Sequence, residues 1–324
     1  MIEIEVQRPV VMVTGANGFV GEALVTSLTQ RNFSVRRSVR HKSSNPSYDE
    51  SEFISGDING STDWMRGLKG VDVVVHTAAR VHVMDEQSSD PITEFRSVNV
   101  HGSANLARQA ARSGVKRLIY LSSVKVNGES STEGYSLKAS DTPSPLGAYA
   151  ISKSEAELEL LEVALETGLE VVIIRPPLIY GKGVKANFAS LIHAIRKGIP
   201  LPFGMVTNNR RSLVSLDNLI DFIEVCLEHT AAGNETFMIS DGQDISTADL
   251  VKQIGNALCK KIILIPVPVF LLNKVALIFG KQELMERLTG NLQVDINKNF
   301  LLLDWRPKLS LDEGLLKTLD DTNH

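Results

Sequence analysis

The segment Thr14-Gly15-Ala16-Asn17-Gly18-Phe19-Val20-Gly21 constrains this chain more than any other. It follows an apolar run, Val10–Thr14, that reads as a strand, and it opens a helical pattern over 21–30. Gly15 permits a tight turn there, Gly18 lets backbone approach a pyrophosphate, and Gly21 allows close helix–strand packing. The helix start adds free amides and a favourable dipole for an anion. Three glycines alone would be a weak signal, since turns collect glycine anyway. With a strand before them and a helix after, they specify a dinucleotide-binding loop. The candidate cofactor contacts in it are Gly15, Asn17, Gly18, Phe19, Val20 and Gly21.

Further strands are expected at Ser34–Val39, Glu52–Ile54, 71–76 (VDVVVH), 117–122 and Glu170–Arg175, with helices over 92–114 and 149–167. Continuous apolar strands separated by helices mean a parallel sheet covered on both faces. After Pro176 the pattern changes to frequent Pro and Gly and helices of mixed length. The fold class is therefore α/β, a doubly wound parallel Rossmann sheet with a smaller C-terminal substrate-binding lobe. The cleft should lie at the carboxyl ends of the strands. The expected division gives 8–182 to the dinucleotide-binding domain, with 212–240 packing back on it. The substrate-binding lobe takes 183–211 and 241–324, and the Ser/Gly/Thr-rich stretch 127–145 reads as a substrate-side loop.

Net charge is -4, so bulk electrostatics make no case for nucleic acid or an anionic membrane. The two cysteines, Cys226 and Cys259, form no CxxC pattern, which fits a reducing, cytoplasmic location. The acidic N-terminus runs straight into a strand and reads against a secretory signal. The stretch 262–280 (IILIPVPVFLLNKVALIFG) has the length and apolarity of a membrane span, but Pro266, Pro268, Asn273 and Lys274 interrupt it. A strand ending at the prolines, then a buried helix from about Val269, is expected instead. His76 reads as a hydrogen-bonded core residue. His82, His101 and His193 have no carboxylates at metal spacing, so no metal is expected. The acidic run 155–166 reads as a solvated helix face.

Tyr149-Ala150-Ile151-Ser152-Lys153 places a phenol and an amine four residues apart on one helical face. A free tyrosine titrates near 10, too high for a base at neutral pH. A neighbouring ammonium, helped by a cationic nicotinamide ring, would stabilise the phenolate, and the lysine could also hold the nicotinamide ribose. A hydroxyl able to donate to a developing oxyanion is available in Leu121-Ser122-Ser123, at the end of the preceding strand.

With these residues in hand, the chain resembles the extended short-chain dehydrogenase/reductases, specifically the nucleotide-sugar epimerase/dehydratase group. The resemblance is carried by TGANGFVG with its GxxGxxG spacing, GDI (56–58), VVHTAA (74–79), SVNVHG around Asn99, LSSVKVNG, YAISK, RPPLIYG and NNRRSLVSLDNL. It implies that Asp57 and Ile58 flank the adenine, that Ala78, Ala79 and Arg80 line the cofactor, and that Asn99 and Pro177 lie by the nicotinamide half. It implies a catalytic set of Ser123, Tyr149 and Lys153. Arg211 would grip the nucleotide diphosphate, for which a planar bidentate donor suits the chemistry, and Asn187 would be a further substrate contact. A homodimer is implied by the same analogy.

Two departures from the family pattern bear on the reaction. Val124 and Lys125 stand where the group's 4,6-dehydratases carry acids, so water elimination is not expected. The end of the second strand carries Arg36, Arg37 and Arg40 instead of an acid, which tilts the cofactor from NAD toward NADP, with Arg40 as a candidate contact. The expected function is a UDP-hexose-type 4-epimerase working through a transient 4-keto sugar. The alternative is an NADPH-dependent 4-keto reductase of a UDP-(deoxy)hexose in surface-polysaccharide precursor synthesis. A non-catalytic nucleotide-binding module or a hydroxysteroid-type reductase would share the fold, but the intact triad and Arg211 argue against them.

Overall fold

Val11, Met12 and Val13 are wholly withdrawn from solvent, and the strand they form, β1 (Val10–Thr14), is central to the main sheet. The computed structural model describes residues 8–42, 51–81 and 90–320. From β1 the chain passes through α1 (Phe19–Gln30) to β2 (Ser34–Val39) and β3 (Glu52–Ile54). After a single turn, α2 (Met65–Leu68), it returns to the other flank of β1 as β4 (Val73–His76). α3 (Pro91–Phe95), a π-helical segment (Arg96–Gly102) and α4 (Ser103–Arg112) lead to β5 (Arg117–Leu121). α5 (Gly147–Thr167) then leads to β6 (Glu170–Arg175).

β7 (Leu178–Tyr180), α6 (Ala186–Arg196), β8 (Arg211–Ser215), α7 (Leu216–Glu228), β9 (Thr236–Met238) and β10 (Asp244–Ile245) follow. The last helices are α8 (Thr247–Ala257), α9 (Val269–Ile278), α10 (Gln282–Thr289), α11 (Asn297–Leu303) and α12 (Leu311–Asp320).

The seven-stranded sheet has the order β3-β2-β1-β4-β5-β6-β9. Its pairs from β3 through to β6 are all parallel. This is the doubly wound sheet expected from the sequence. The chain builds outward from β1 in one direction, then restarts at β4 and builds in the other. Loops leaving β1 and β4 therefore diverge at the carboxyl edge, where such sheets hold their ligands.

Two compact units make up the chain. The first comprises Met1–Val126, Pro143–Arg175 and Ile220–Phe237, and its core gathers Trp64, Val74, Leu118, Tyr120, Leu160 and Ile173. The second comprises Asn127–Thr142, Pro176–Leu219 and Met238–His324. It has its own core around Tyr180, Phe188, Val251, Leu272 and Leu315, and a three-stranded sheet of order β10-β8-β7.

Two local expectations fail. The helix expected over 92–114 is not uniform, because its middle widens into the π-helical segment that carries Asn99. The stretch 262–280 has no regular strand, only a single bridge between Leu264 and Leu201, and α9 is not buried. Only Leu272 and Ala276 of that helix are buried, a seam too narrow to hide its other apolar residues. No described helix is long and apolar enough to cross a membrane.

His76 is buried at the end of β4, with Nδ1 sharing a 2.6 Å hydrogen bond with the Thr14 hydroxyl and Nε2 a 2.9 Å one with that of Ser103. Burial, then the charge of Lys153, lowers its pKa from 6.5 to about 3. Below pH 6.5 the unfolded chain binds a proton here that the native state refuses. The stability His76 contributes is thus complete above pH 6.5 and is lost as pH falls toward 3. Urea midpoints measured from pH 7 down to 4.5 should decline less steeply for His76→Asn than for the unaltered protein.

Candidate functional site

At the carboxyl edge of β1 the backbone has almost no room. Gly15 has a φ of 66°, and a Cβ there would lie 2.9 Å from the backbone of Ala78, in the loop that leaves β4. A Cβ on Gly21 would lie 2.2 Å from the Gly15 carbonyl oxygen. Thr77 Oγ1 donates to the Thr14 carbonyl at 2.6 Å, and the Ala78 amide donates to Thr14 Oγ1 at 3.3 Å, so the two loops are stitched together. Gly18 caps α1 with no side-chain hydrogen bond, and Phe19, Val20 and Gly21 form the first turn. A helix start without a side-chain cap, reached through side-chain-free backbone, fits a dinucleotide pyrophosphate.

The basic end of β2 is engaged within the protein. Arg36 Nη1 donates to the carbonyls of Gly67 and Lys69, at 2.6 and 2.8 Å. Arg37 is buried; its Nη2 donates to Asn17 Oδ1 at 2.7 Å and it pairs with Glu52 at 3.3 Å. Arg40 is exposed and pairs with Asp57 at 3.0 Å. Ile58 packs beneath Gly102, where a Cβ would come within 2.7 Å of its Cγ2. Charge that the sequence suggests is free for a 2′-phosphate is thus largely committed to holding β2, the glycine loop and β3 together.

Asn99 is buried in the π-helical segment and spends its whole amide on structure. Oδ1 accepts from the Arg80 amide at 2.8 Å, and Nδ2 donates to the Arg80 carbonyl at 3.0 Å and to Ser152 Oγ at 2.9 Å. One side chain therefore fixes the Ala78-Ala79-Arg80 loop relative to α5.

On α5, Tyr149 is half-buried and meets Phe95 edge-on at 6.2 Å, and the Ser123 hydroxyl acts to lower its pKa. Lys153, one turn on, is 2% exposed. Its Nζ donates to the Leu121 carbonyl at 2.7 Å and lies 4.3 Å from the centre of the Tyr120 ring. The first unit thus brings Ser123, Tyr149 and Lys153 together. The expected lowering of the Tyr149 pKa by Lys153 is not what the chain provides by itself. Burial raises Tyr149 to about 12, against which the Ser123 hydroxyl acts, and burial lowers Lys153 to about 7, against which Glu157 acts.

Glu157 corrects the reading of 155–166 as a solvated face. It is 3% exposed, accepts from Ser122 Oγ, and pairs with Arg175, whose Nε lies 3.0 Å from its Oε1. Spacing was the available signal, since 149, 153 and 157 succeed one another by one turn on a single face. The two serines divide the work accordingly: Ser122 faces the buried carboxylate, Ser123 the phenol.

Pro177, Asn187 and Arg211 belong to the second unit. Pro177 is buried, and Asn187 is exposed in the first turn of α6. Arg211 begins β8, and its Nη1 donates to the Gly290 carbonyl at 3.3 Å. Burial, then the charge of Arg287, lowers its pKa to about 10, with Glu129 opposing. Among the described residues no group of His, Cys, Asp and Glu could hold a metal ion, and His82 lies outside them.

A family model described as the NAD dependent epimerase/dehydratase family matches residues 11–240. The chain belongs to this family. It is 48% identical over 309 residues to the UDP-glucose 4-epimerase of Vibrio cholerae, covering 95% of this chain and 94% of that protein. In fold it is similar to the crystal structure of a UDP-glucose 4-epimerase with UDP-glucose from Thermotoga maritima, at TM-score 0.75 and 22% identity, covering 96% of this chain and 97% of that one. The UDP-glucuronic acid 4-epimerase of Bacillus cereus in complex with NAD gives TM-score 0.76 at 20% identity, with 96% and 97% coverage.

Breaking the Glu157–Arg175 pair from one side strands a buried charge. Urea unfolding should show Glu157→Gln destabilised by about 3–5 kcal/mol, with most of that recovered in the apolar double substitution Glu157→Leu/Arg175→Met. Glu157 also raises the Lys153 pKa, so the alkaline limb of the kcat/KM profile should move to lower pH in Glu157→Gln.

Proposed function

We propose that this protein is a UDP-hexose 4-epimerase using NAD, interconverting UDP-glucose and UDP-galactose through a transient 4-keto sugar. The observation that carries this reading is the meeting of Ser123, Tyr149 and Lys153 at the end of β5, in a chain 48% identical to a UDP-glucose 4-epimerase. When bound, the nicotinamide dinucleotide supplies the acceptor, then the donor, of the C4 hydrogen with its electron pair. Gly15, Asn17, Gly18, Phe19, Val20 and Gly21 would hold its pyrophosphate side, Asp57 and Ile58 its adenine, and Ala78, Ala79, Arg80, Asn99 and Pro177 the remainder.

In this reading the Tyr149 Oη takes the proton of the sugar C4 hydroxyl and later returns it to the C4 oxygen, when the C4 hydrogen is restored on the opposite face of the sugar. The Ser123 Oγ donates to the C4 oxygen while it carries negative charge. Buried phenol at about pKa 12 is a poor base, so Tyr149 needs cationic neighbours during turnover. Lys153, held by the Leu121 carbonyl, supplies one such charge when protonated. Arg211 would grip the diphosphate and Asn187 add a substrate contact, within a substrate-binding lobe of 183–211 and 241–324.

The reductase alternative is not favoured. Its support was a free basic cluster, and Arg36, Arg37 and Arg40 all have protein partners. A homodimer and a cytoplasmic location, the latter supported by two free cysteines without a pairing pattern, complete the reading.

Incubation with UDP-galactose should yield UDP-glucose without net consumption of cofactor. Tyr149→Phe should lower kcat by about 10²–10⁴-fold while UDP binding is retained. Oxidation of NADPH by a 4-keto sugar nucleotide with no C4 epimer formed would overturn the proposal. In calorimetry, Arg211→Ala should weaken UDP binding by about 10–100-fold, the loss of a charge-assisted contact.

A further inference from the structure

The apolar surface of α9 plays no part in the chemistry above. Ile263, Ile265, Phe270, Leu271, Val275, Leu277, Ile278 and Phe279 all stand at least 43% open to solvent, the greatest concentration of such side chains among the described residues. α9 is anchored through Leu272, in the core of the second unit, and through Ala276 one turn later. At about 100° per residue, Leu277, Phe270, Ile278, Leu271 and Val275 then sweep an arc of roughly 160° on the side facing away from that anchor. Lys274 sits in the middle of the arc.

Charge around this helix is mostly positive. Residues 260–281 contain Lys260, Lys261, Lys274 and Lys281 and no Asp or Glu, and α10, packed against α9, adds Glu283, Glu286 and Arg287, a local +3 in a chain whose net charge is -4. All four lysines are exposed.

We propose that α9 seats this protein on the surface of an anionic phospholipid bilayer, lying in the interface without crossing it. Ten residues make a helix about 15 Å long, half the hydrocarbon thickness, so spanning is out of reach. Lying flat, the arc sinks its Phe, Leu, Ile and Val side chains among the upper acyl segments. The Lys274 stem passes along that apolar surface and lifts its ammonium to the phosphates, where Lys260, Lys261 and Lys281 also find partners. A second copy of the chain fits less well. A two-fold contact through this face would press each Lys274, set in the middle of the apolar arc, into a dry interface. Lipid phosphates supply a countercharge while leaving the ammonium in the wet headgroup layer.

Flotation of the full chain with phosphatidylcholine vesicles, with and without phosphatidylglycerol, tests this. The protein should float with the anionic vesicles and only weakly with the neutral ones. Binding should fall about fivefold for each of Lys274→Gln and Lys281→Gln, and fall as salt rises. Phe270→Ser/Ile278→Ser should abolish flotation while circular dichroism and turnover of UDP-galactose stay unchanged. Absence of flotation with anionic vesicles at low salt overturns the proposal, as does undiminished binding by the Phe270→Ser/Ile278→Ser protein. Sedimentation showing a dimer that those two substitutions dissociate, with no vesicle binding, overturns it in favour of self-association.

Discussion

A side chain at position 15 would run into the backbone of residue 78, and much of the first unit follows from that exclusion. β1 and β4 are neighbours, yet the chain leaves them in opposite directions, so their exit loops must part at the carboxyl edge. Gly15 lets them touch before they part, and the Thr14 and Thr77 bonds lock the touch in place. Any larger residue would displace the β4 loop, and with it the Asn99 anchor that ties Arg80 to α5. The same tolerance governs Gly21, where a methyl group would strike the Gly15 carbonyl. Space for a dinucleotide and the position of the Tyr149 helix are thus consequences of one steric limit.

From that anchor the polar groups of the site form two layers. Ser123, Tyr149 and Lys153, the proposed catalytic groups, form one layer. Beneath it, Ser122, Glu157 and Arg175 form a buried layer that joins the ends of β5 and β6 to α5. The buried pair is electrostatically coupled to the outer layer, because the Glu157 carboxylate opposes the desolvation that would otherwise strip Lys153 of its proton. A buried carboxylate one turn along α5 therefore helps decide how readily Lys153 keeps its proton.

The sequence made the sheet legible because each of its central strands is continuously apolar and each glycine of the first loop answers a steric need. Helix spacing put Tyr149 and Lys153 on one face and the strand-end rule pointed to Ser122-Ser123, both local signals, while the choice of Ser123 came from the family resemblance. Glu157 was misread as one more member of an acidic run, although its spacing from Tyr149 and Lys153 puts it on their face; its partner Arg175 lies eighteen residues on, across a strand. The π-helical widening at Asn99 escaped as well, because periodicity over 92–114 is too coarse to register one extra residue in a turn.

Charge proved the least readable property. Arg36, Arg37 and Arg40 form a basic cluster on paper, but carbonyls, Asn17, Glu52 and Asp57 absorb them in the fold, so the cluster says little about a 2′-phosphate. The net charge of -4 likewise averages over a chain whose four lysines between 260 and 281 have no acid among them. A formal charge carries information about a ligand only after its neighbours are known, and neighbours across a β-sheet or along an exposed helix are set by packing. Arg37 is neutralised because the glycine loop needs a tie to β2 and β3; Lys274 is exposed, because α9 meets the core on the side of Val269, Leu272 and Ala276 and turns residue 274 outward.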